Sequence, residues 1–152
     1  MWIRTIHKTD YPAVDRLLLQ LQQADVTARP DQFAPMAHYM PRESFENLLD
    51  NGNILALLVQ DRLEVVACCF VSLLDRSSFH PCKTAYIDLL VVDEKHRRQG
   101  IGKMLFREVE TRARRFGAQR VELMVWSHNT IAEKAYAAYG MTPQRSIYEI
   151  SL

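Results

Sequence analysis

An apolar strand, a charged loop and an amphipathic helix follow one another between Ala85 and Phe116, and this succession constrains the fold more than any other part of the sequence. Residues Ala85 to Val92 are almost continuously apolar, which predicts a central strand covered on both faces. Asp88 interrupts the run. Apolar residues then recur at helical spacing from Ile101 to Phe116, and Gly117 ends the pattern. The chain must therefore contain a sheet with a helix packed against it.

The other predicted elements surround this unit. Five further runs predict strands, at Met1–Ile6, Ile54–Val59, Val65–Leu74, Arg120–Trp126 and Arg145–Ser151. Helices are predicted from a start signal at Thr9–Pro12 through Leu21, at Glu43–Leu49 and at Thr130–Tyr139. The proline-rich stretch Val26–Pro41 predicts an irregular connection. This order predicts a single α+β domain over residues 1–152, with helices on both faces of a mixed, mostly antiparallel sheet.

The loop between strand and helix reads Arg97-Arg98-Gln99-Gly100-Ile101-Gly102 and is followed by Lys103. Two glycines that open a helix let several free backbone N–H groups converge on one point, where the helix dipole also favours negative charge. A phosphate or pyrophosphate fits such a turn. Two common phosphate motifs do not match, because a dinucleotide fingerprint needs glycine in place of Leu105 and a triphosphate loop needs Ser or Thr in place of Met104.

The loop matches the Arg/Gln-x-x-Gly-x-Gly/Ala signature of the GNAT-type N-acetyltransferases and resembles that family's cradle for the coenzyme A pyrophosphate. A second match lies downstream, where Asn129 is followed by Ala135-Tyr136-Ala137-Ala138-Tyr139-Gly140-Met141. This segment looks like the family's Asn…Ala-x-x-x-Tyr-Glu-Lys-x-Gly-Phe pattern. Together the two signatures cover residues 85–141.

The resemblance implies a site where the fourth and fifth strands, which run parallel, splay apart. The backbone of Leu90, Val91 and Val92 would pair with the pantetheine of acetyl-CoA as if it were a short strand. The loop residues would hold the pyrophosphate, namely Arg97, Arg98, Gln99, Gly100, Ile101, Gly102 and Lys103. Asn129 is expected either to contact the pantetheine or to cap the following helix, and the sequence leaves both roles open. No metal site is expected, because the histidines and cysteines lack ligand spacing.

Two residues are candidates for catalysis of acetyl transfer to an amine. Asp88 lies where some small-amine acetyltransferases of this family have a glutamate base, and apolar surroundings would raise its pKa. The alternatives are a carboxylate tied to a neighbouring group or turned to solvent at a bulge, and a water chain as the base. Tyr136 matches the family's general-acid tyrosine, and the alternative is a ring that packs against the sheet like Tyr139. The Leu90 amide is expected to donate to the thioester carbonyl oxygen.

The remaining sequence narrows the function class. A net charge of +1 and the lack of a membrane-length apolar stretch argue against nucleic-acid and membrane partners and predict a cytoplasmic protein. We expect an acetyl-CoA-dependent N-acetyltransferase for a small primary amine, with a homodimer left open. Its acceptor pocket is expected from Val26–Pro41, Arg76–Cys82 and the surroundings of Tyr148. A non-catalytic acyl-CoA sensor and a protein N-acetyltransferase are the alternatives. Met124 weakens the latter, since N-terminal-acetylating relatives have a fifth-strand glutamate at its place.

Overall fold

The computed structural model of this chain describes residues 1–75 and 82–152. Its strands form one sheet in the order β1-β2-β3-β4-β5. The strands are β1 (Trp2–Thr5), β2 (Ile54–Asp61), β3 (Glu64–Asp75), β4 (Lys83–Val92) and β5 (Ala118–Leu123). The α-helices of the described ranges are α1 (Tyr11–Ala28), α2 (Arg42–Asp50), α3 (Ile101–Phe116) and α4 (Thr130–Ala138). Neighbouring strands are antiparallel except β4 and β5, which are parallel.

Alternating side chains of the central strands divide the core between two faces of the sheet. Leu57 of β2 lies opposite Cys69 of β3, and both belong to the apolar cluster that contains α3. The next pair, Leu58 and Cys68, belongs to the cluster that contains α1 and α2. Because both faces of β2 and β3 are apolar, each face needs a helix to cover it. The structure therefore confirms the predicted fold class, with helices on both faces of a mostly antiparallel sheet.

Helix α1 is longer than its sequence pattern indicates. Pro12 occupies the first turn, where its missing N–H costs nothing, and Leu17 and Leu18 are buried against the sheet. The helix continues to Ala28 rather than ending near Leu21. The side chain of Gln22 donates to the Ala34 carbonyl group and so ties the last turns of the helix to the connection that follows.

The C-terminal part of the chain differs most from expectation. Strand β5 ends at Leu123 instead of Trp126, and the strand predicted at Arg145–Ser151 is wrong, since no described residue after Ala138 lies in a helix or strand. The reason is that the chain leaves the sheet edge, and a salt bridge of 2.8 Å from Glu149 to Arg29 holds its end beside α1. In the described ranges, no helix combines the length and apolarity that crossing a membrane requires.

Candidate active site

The site is built on a stretch of β4 that β5 does not reach. Parallel pairing between the two strands ends where Ile87 lies opposite Leu123. Strand β4 continues to Val92, whereas β5 stops and the chain turns away. The resulting gap matches the predicted splay of the fourth and fifth strands. It leaves one edge of β4 without a β-strand neighbour from Asp88 onward.

Backbone amides of β4 point into this gap. The Asp93 N–H donates to the Val66 carbonyl group of β3 at 2.9 Å. Because successive peptide groups of a strand point to opposite edges, the N–H groups of Val92 and Leu90 point away from β3 and toward the open edge. The N–H of Val91 points to β3 instead, and its side chain is buried on the α1 face. Leu90 and Val92 therefore offer the donors that an extended ligand could use.

The loop after β4 has the backbone shape of an anion site. Arg98 and Gly100 both adopt left-handed conformations, with φ values of 61° and 79°. The Met104 N–H makes the first helical hydrogen bond of α3, to the Gly100 carbonyl group at 3.0 Å. The N–H groups of residues 101–103 precede that bond and so have no carbonyl partner within the helix. The buried side chain of Ile101 anchors this helix start to the core.

Charged and small side chains complete the loop. Arg97 donates to the Val92 carbonyl oxygen at 3.2 Å, which places its guanidinium group at the open edge of β4. Gln99, Arg98 and Lys103 are exposed. At Gly102 a β-carbon would lie 3.0 Å from the Tyr139 hydroxyl group, so a side chain there would displace that ring. The first glycine of the motif is thus required by backbone conformation and the second by close packing.

A contact between Asp93 and Arg16 of α1, which was not predicted, holds the beginning of this loop. Asp93 is 1% exposed, and its carboxylate accepts hydrogen bonds from the Arg16 guanidinium group of α1 and from the Lys95 N–H. Arg16 also donates to the Val65 carbonyl group at 2.9 Å. Carboxylates of Glu64 and Asp93 and the His96 ring come within 4.8 Å of one another, but the Arg16 guanidinium group already supplies positive charge there. We therefore assign this cluster to holding the loop on α1.

This contact makes stability depend on pH. Burial alone would raise the pKa of Asp93, but hydrogen bonds from Arg16 and the Lys95 N–H outweigh it and lower the pKa from 3.8 to about 2. A depressed carboxylate pKa stabilises the fold above pH 3.8, and that stability is lost as pH falls toward 2. The free energies of unfolding of wild type and Asp93→Asn, measured in urea, should therefore differ by about 2 kcal/mol less at pH 2 than at pH 6. Asp50→Asn, which removes an exposed carboxylate, is the control and should show a smaller change. A pH-independent difference for Asp93→Asn would contradict the assignment.

Asp88 lies at a β-bulge of β4. Phe70 of β3 pairs with Leu89 and Val71 pairs with Ile87, so Asp88 is the extra residue between the two pairs. Its carboxylate is exposed and accepts a hydrogen bond of 2.7 Å from the Ser72 hydroxyl group. The apolar enclosure that the neighbouring residues suggested is therefore absent, and the solvent-facing alternative describes this side chain. The bulge turns a carboxylate on an otherwise apolar strand to solvent.

Tyr136 and Tyr139 occupy different environments on α4. The Tyr139 ring packs against Phe106 of α3, with 5.1 Å between ring centroids, and belongs to the core on that face. Tyr136 is outside that cluster and half-buried. Burial, followed by the neighbouring Cys69 and Tyr139, raises the pKa of Tyr136 to about 12. Its phenol group is therefore protonated throughout the physiological range and can act as a hydrogen-bond donor.

Cys69 connects the two predicted catalytic side chains. Burial raises the pKa of the Cys69 thiol, and the nearby charges of Cys68 and Asp88 raise it further. Cys69 in turn contributes to the raised pKa of Tyr136. Asp88 and Tyr136 therefore each interact electrostatically with the same buried residue of β3.

Asn129 has the capping role in this structure. Its side-chain oxygen accepts a hydrogen bond of 3.2 Å from the Ala132 N–H in the first turn of α4. Of the two roles that the sequence left open, the side-chain oxygen therefore fills the helix-capping role. The amide nitrogen of the side chain is not used by the cap, so a contact with a ligand in the gap stays a prediction.

The end of α1 and the loop after β5 contact each other. Asp25 of α1 lies 3.2 Å from the His128 ring, and neither residue was singled out by the sequence. The indole of Trp126 stacks on His128 at 6.0 Å between centroids and meets the Phe33 ring edge-on at 5.4 Å. Arg29 lies over the same indole at 5.9 Å. These contacts form an aromatic cluster with charged groups at its rim.

Several residues predicted to line the acceptor pocket already form salt bridges or hydrogen bonds within the chain. Arg29 forms salt bridges with Asp31 and Glu149, at 2.7 and 2.8 Å. His38 lies 2.8 Å from the buried Asp15 carboxylate, which also accepts the Tyr39 N–H. Of the predicted loop Arg76–Cys82, residues 76–81 are outside the described residues. Tyr148 is 93% exposed, so the described residues cover little of its ring.

The chain is similar to a known protein family and to several solved structures. The model of the acetyltransferase (GNAT) family matches residues 18–141, which is more than half of the chain. A tetramutant of the BH1408 protein from Bacillus halodurans is 29% identical, with a TM-score of 0.95 and complete coverage of both chains. No curated protein matches.

Two more distant structures share the fold. A ribosomal-protein-alanine N-acetyltransferase from Brucella melitensis biovar Abortus 2308 is 20% identical, with a TM-score of 0.74 and complete coverage of both chains. The aminoglycoside acetyltransferase meta-AAC0020 from an uncultured soil metagenomic sample is 18% identical, with a TM-score of 0.73. That match covers 99% of this chain and 94% of the other. At these identities the likeness concerns the fold.

Proposed function

We propose that this chain, which belongs to the acetyltransferase (GNAT) family, transfers an acetyl group from acetyl-CoA to a primary amine of a small molecule. One observation carries the proposal: the open edge of β4, with its Leu90 and Val92 amides, leads directly into an anion loop with exposed Arg98 and Lys103. An extended ligand that ends in a pyrophosphate fits both parts at once. Coenzyme A has this shape.

Each part of the gap has a separate binding task. The N–H groups of residues 101–103 and the side chains of Arg98 and Lys103 would hold the pyrophosphate. The amides of Leu90 and Val92 would hold the pantetheine, and the Asn129 side chain lies at the start of α4 for a further contact. Bound acetyl-CoA would supply the acetyl group as a thioester.

The chain's own groups then have defined roles in acetyl transfer. Asp88 would take a proton from the acceptor ammonium group, which leaves a neutral amine to attack the thioester carbonyl carbon. A C–N bond forms, the nitrogen releases its second proton to solvent, and the C–S bond breaks, so the sulfur leaves with the electron pair. The Leu90 N–H would donate to the carbonyl oxygen while negative charge develops there. Tyr136 would donate a hydrogen bond to the departing sulfur.

The raised pKa of Tyr136 decides between hydrogen bonding and proton transfer. A thiol has an ordinary pKa of about 8.5, which is about 3.5 units below the value of about 12 for Tyr136. Complete transfer of the phenol proton to the thiolate would therefore be uphill by about 5 kcal/mol. We infer that Tyr136 stabilises the developing charge by a hydrogen bond and that the thiolate takes its proton from solvent.

A small amine suits the acceptor side better than a protein N-terminus. Met124 is 60% exposed just beyond β5, and its thioether cannot accept a proton. The residues at the rim are Asp25, His128, Arg29 and Glu149, which offer both signs of charge but are paired among themselves. They favour an acceptor that carries polar groups of its own, such as an amino acid or an aminosugar.

A thiol-release assay tests the proposed reaction. Purified protein with acetyl-CoA is incubated with panels of small amines and of peptides, and free coenzyme A is measured together with the acetylated product. Release that depends on a small amine supports the proposal. Acetyl-CoA binding without turnover on any acceptor would indicate a sensor, and turnover on peptides alone would indicate a protein acetyltransferase. Either result would overturn the small-amine assignment.

Acetyl-CoA should stabilise the fold measurably. At a concentration one hundredfold above its dissociation constant, the ligand should add about 2.7 kcal/mol and raise Tm by several degrees. Gly100→Ala should reduce this shift, because an alanine at φ 79° distorts the loop whose amides face the ligand. Gly117→Ala is a matched control, since Gly117 has a similar φ of 86° at the other end of α3. Its Tm should fall without loss of the ligand shift. Equal ligand shifts in both variants would contradict the loop's role, and no shift in wild type would exclude acetyl-CoA binding.

A further inference from the structure

The loop between β4 and α3 runs between two buried ends. Asp93 at its start is 1% exposed, and Ile101 at its end is 2% exposed. None of the residues 94–100 between them is buried. Ile101 packs in the apolar cluster of α3, whereas a buried carboxylate such as Asp93 needs hydrogen-bonding and charged partners. The position of the first half of the loop therefore depends on the groups that hold Asp93.

Two side chains of α1 hold this end of the loop. Arg16 donates to the Asp93 carboxylate and, through its other terminal nitrogen, to the Val65 carbonyl group of β3. Gln20 lies one turn further along α1 on the same face of the helix. Its side-chain nitrogen is 3.4 Å from the Asp93 carboxylate, and its side-chain oxygen accepts the Glu94 N–H at 3.1 Å. Helix α1 thus fixes both the carboxylate and the backbone of the first turn of the loop.

Asp93 carries this attachment into the backbone of the loop. The carboxylate oxygen that does not face Arg16 accepts the Lys95 N–H at 3.0 Å, and the Asp93 carbonyl oxygen accepts the His96 N–H at 2.8 Å. These bonds form a short 3-10 turn at residues 94–96. Because Arg97 follows the turn directly, the turn sets the direction in which the chain enters the anion-binding part of the loop.

The anion-binding part has a backbone shape that an isolated chain would not favour. Arg98 is not a glycine, yet its φ of 61° lies in the left-handed region. Such a conformation costs free energy and persists only where the surrounding structure imposes it. The N–H groups of residues 101–103 can converge on a pyrophosphate only while the loop before them keeps this shape. A fixed start of the loop is therefore part of the anion site.

We propose that Arg16 and Gln20 are positioning residues for acetyl-CoA, which they affect through Asp93 and not by contact with the ligand. This inference rests on the proposed function. Without Arg16, the Asp93 carboxylate would be buried without a counter-charge, so it would move toward water and take the first turn of the loop with it. The loop amides would then no longer meet the pyrophosphate together. The affinity for acetyl-CoA should fall, whereas the transfer step on bound substrate uses other residues and should not slow.

Isothermal titration calorimetry with acetyl-CoA tests the proposal, at a temperature where circular dichroism shows every variant folded. Arg16→Gln should raise Kd by on the order of 10- to 100-fold, since small displacements of positioned groups have effects of this size. Arg16→Lys keeps a charge beside Asp93 but cannot also bond the Val65 carbonyl group, so the increase should be smaller. Arg4→Gln is the matched control, because Arg4 pairs with the Asp10 carboxylate at 2.8 Å, and Kd should not change.

Gln20→Ala gives a second test that does not leave a buried charge unpaired. It removes the contacts with Glu94 and Asp93 and should raise Kd for acetyl-CoA several-fold. Gln23→Ala is its matched control on the same helix, since the exposed Gln23 side chain contacts only Thr27 among the described residues, at 3.5 Å. That variant should bind acetyl-CoA as wild type does.

Steady-state kinetics, with an acceptor found by the thiol-release assay, separate positioning from a general loss of structure. In Arg16→Gln the KM for acetyl-CoA should rise while kcat stays within about twofold of wild type. A lower kcat with unchanged KM would indicate less folded enzyme and would contradict the positioning role. Unchanged Kd in both Arg16→Gln and Gln20→Ala would overturn that role while leaving the proposed function in place. Failure of wild type to bind acetyl-CoA would overturn both.

Discussion

Asp88→Asn is expected to lower turnover by on the order of 100- to 1,000-fold at pH 7 with an alkylamine acceptor. An alkylamine with a pKa of about 10.4 is neutral in only about one molecule in 2,500 at that pH, so acetylation needs a base. The asparagine keeps the shape of the side chain and its contact with Ser72 but cannot take a proton. As pH rises toward the pKa of the amine, solvent removes the proton instead. We therefore expect the defect to shrink steadily with pH.

The comparison requires the steady-state rate over a range of pH for wild type and variant with the same acceptor. An α-amine, with a pKa near 8, should show a smaller defect at pH 7 because roughly a tenth of it is already neutral. Asp61→Asn removes a half-buried carboxylate elsewhere and serves as the control. Ser72→Ala keeps the Asp88 carboxylate but removes its donor at 2.7 Å, and should cause a smaller loss than Asp88→Asn. A constant defect at all pH values would exclude Asp88 as the base.

Tyr136→Phe should lower kcat by on the order of 10- to 1,000-fold while leaving the affinity for acetyl-CoA nearly constant. The substitution keeps the ring and its burial and removes only the hydroxyl group. A donor that acts on the departing sulfur contributes in the transition state, so its loss reduces turnover rather than binding. Single-turnover rates at saturating acetyl-CoA, with affinity measured separately, check the expectation.

Tyr139→Phe is the matched control on the same helix, because its ring packs against Phe106 in the core. It should change kcat much less than Tyr136→Phe. The pH profile gives a second test, since a tyrosine whose pKa is raised to about 12 should cause no decrease in rate below about pH 11. A wild-type single-turnover rate in Tyr136→Phe would show that this residue has a packing role only.

The elements that the sequence predicted well are those with a local physical cause. Helix α3 has the predicted bounds Ile101–Phe116, because its apolar stripe and the left-handed Gly117 both lie within the segment itself. The parallel direction of β4 and β5 and the gap between them were implied by the family resemblance, and the strand–helix–strand succession accounts for the parallel direction alone. The strand predicted at Arg145–Ser151, by contrast, is wrong. An alternating sequence pattern does not indicate which sheet edge a segment pairs with, and none of the described strands pairs with residues 145–151.

Contacts between distant segments could not be predicted from these patterns. Arg16 and Asp93 are 77 positions apart, and neither residue has neighbours that indicate the other. The same holds for Asp25 and His128, which are 103 positions apart. The exposure of Asp88 depends on a register shift between β3 and β4 that apolar neighbours in sequence conceal. Charge pairing and bulges are properties of the assembled sheet, so a single strand does not encode them.

The bulge at Asp88 separates the chemistry of β4 from its packing. Ile87 and Leu89, on either side, already pair with Val71 and Phe70 and face opposite cores, as consecutive residues of a regular strand would. Removing Asp88 from the ladder would therefore leave every apolar contact of the strand in place. The packing of the sheet does not depend on the residue at this position, so a substitution of Asp88, the proposed base, is expected to leave the sheet intact.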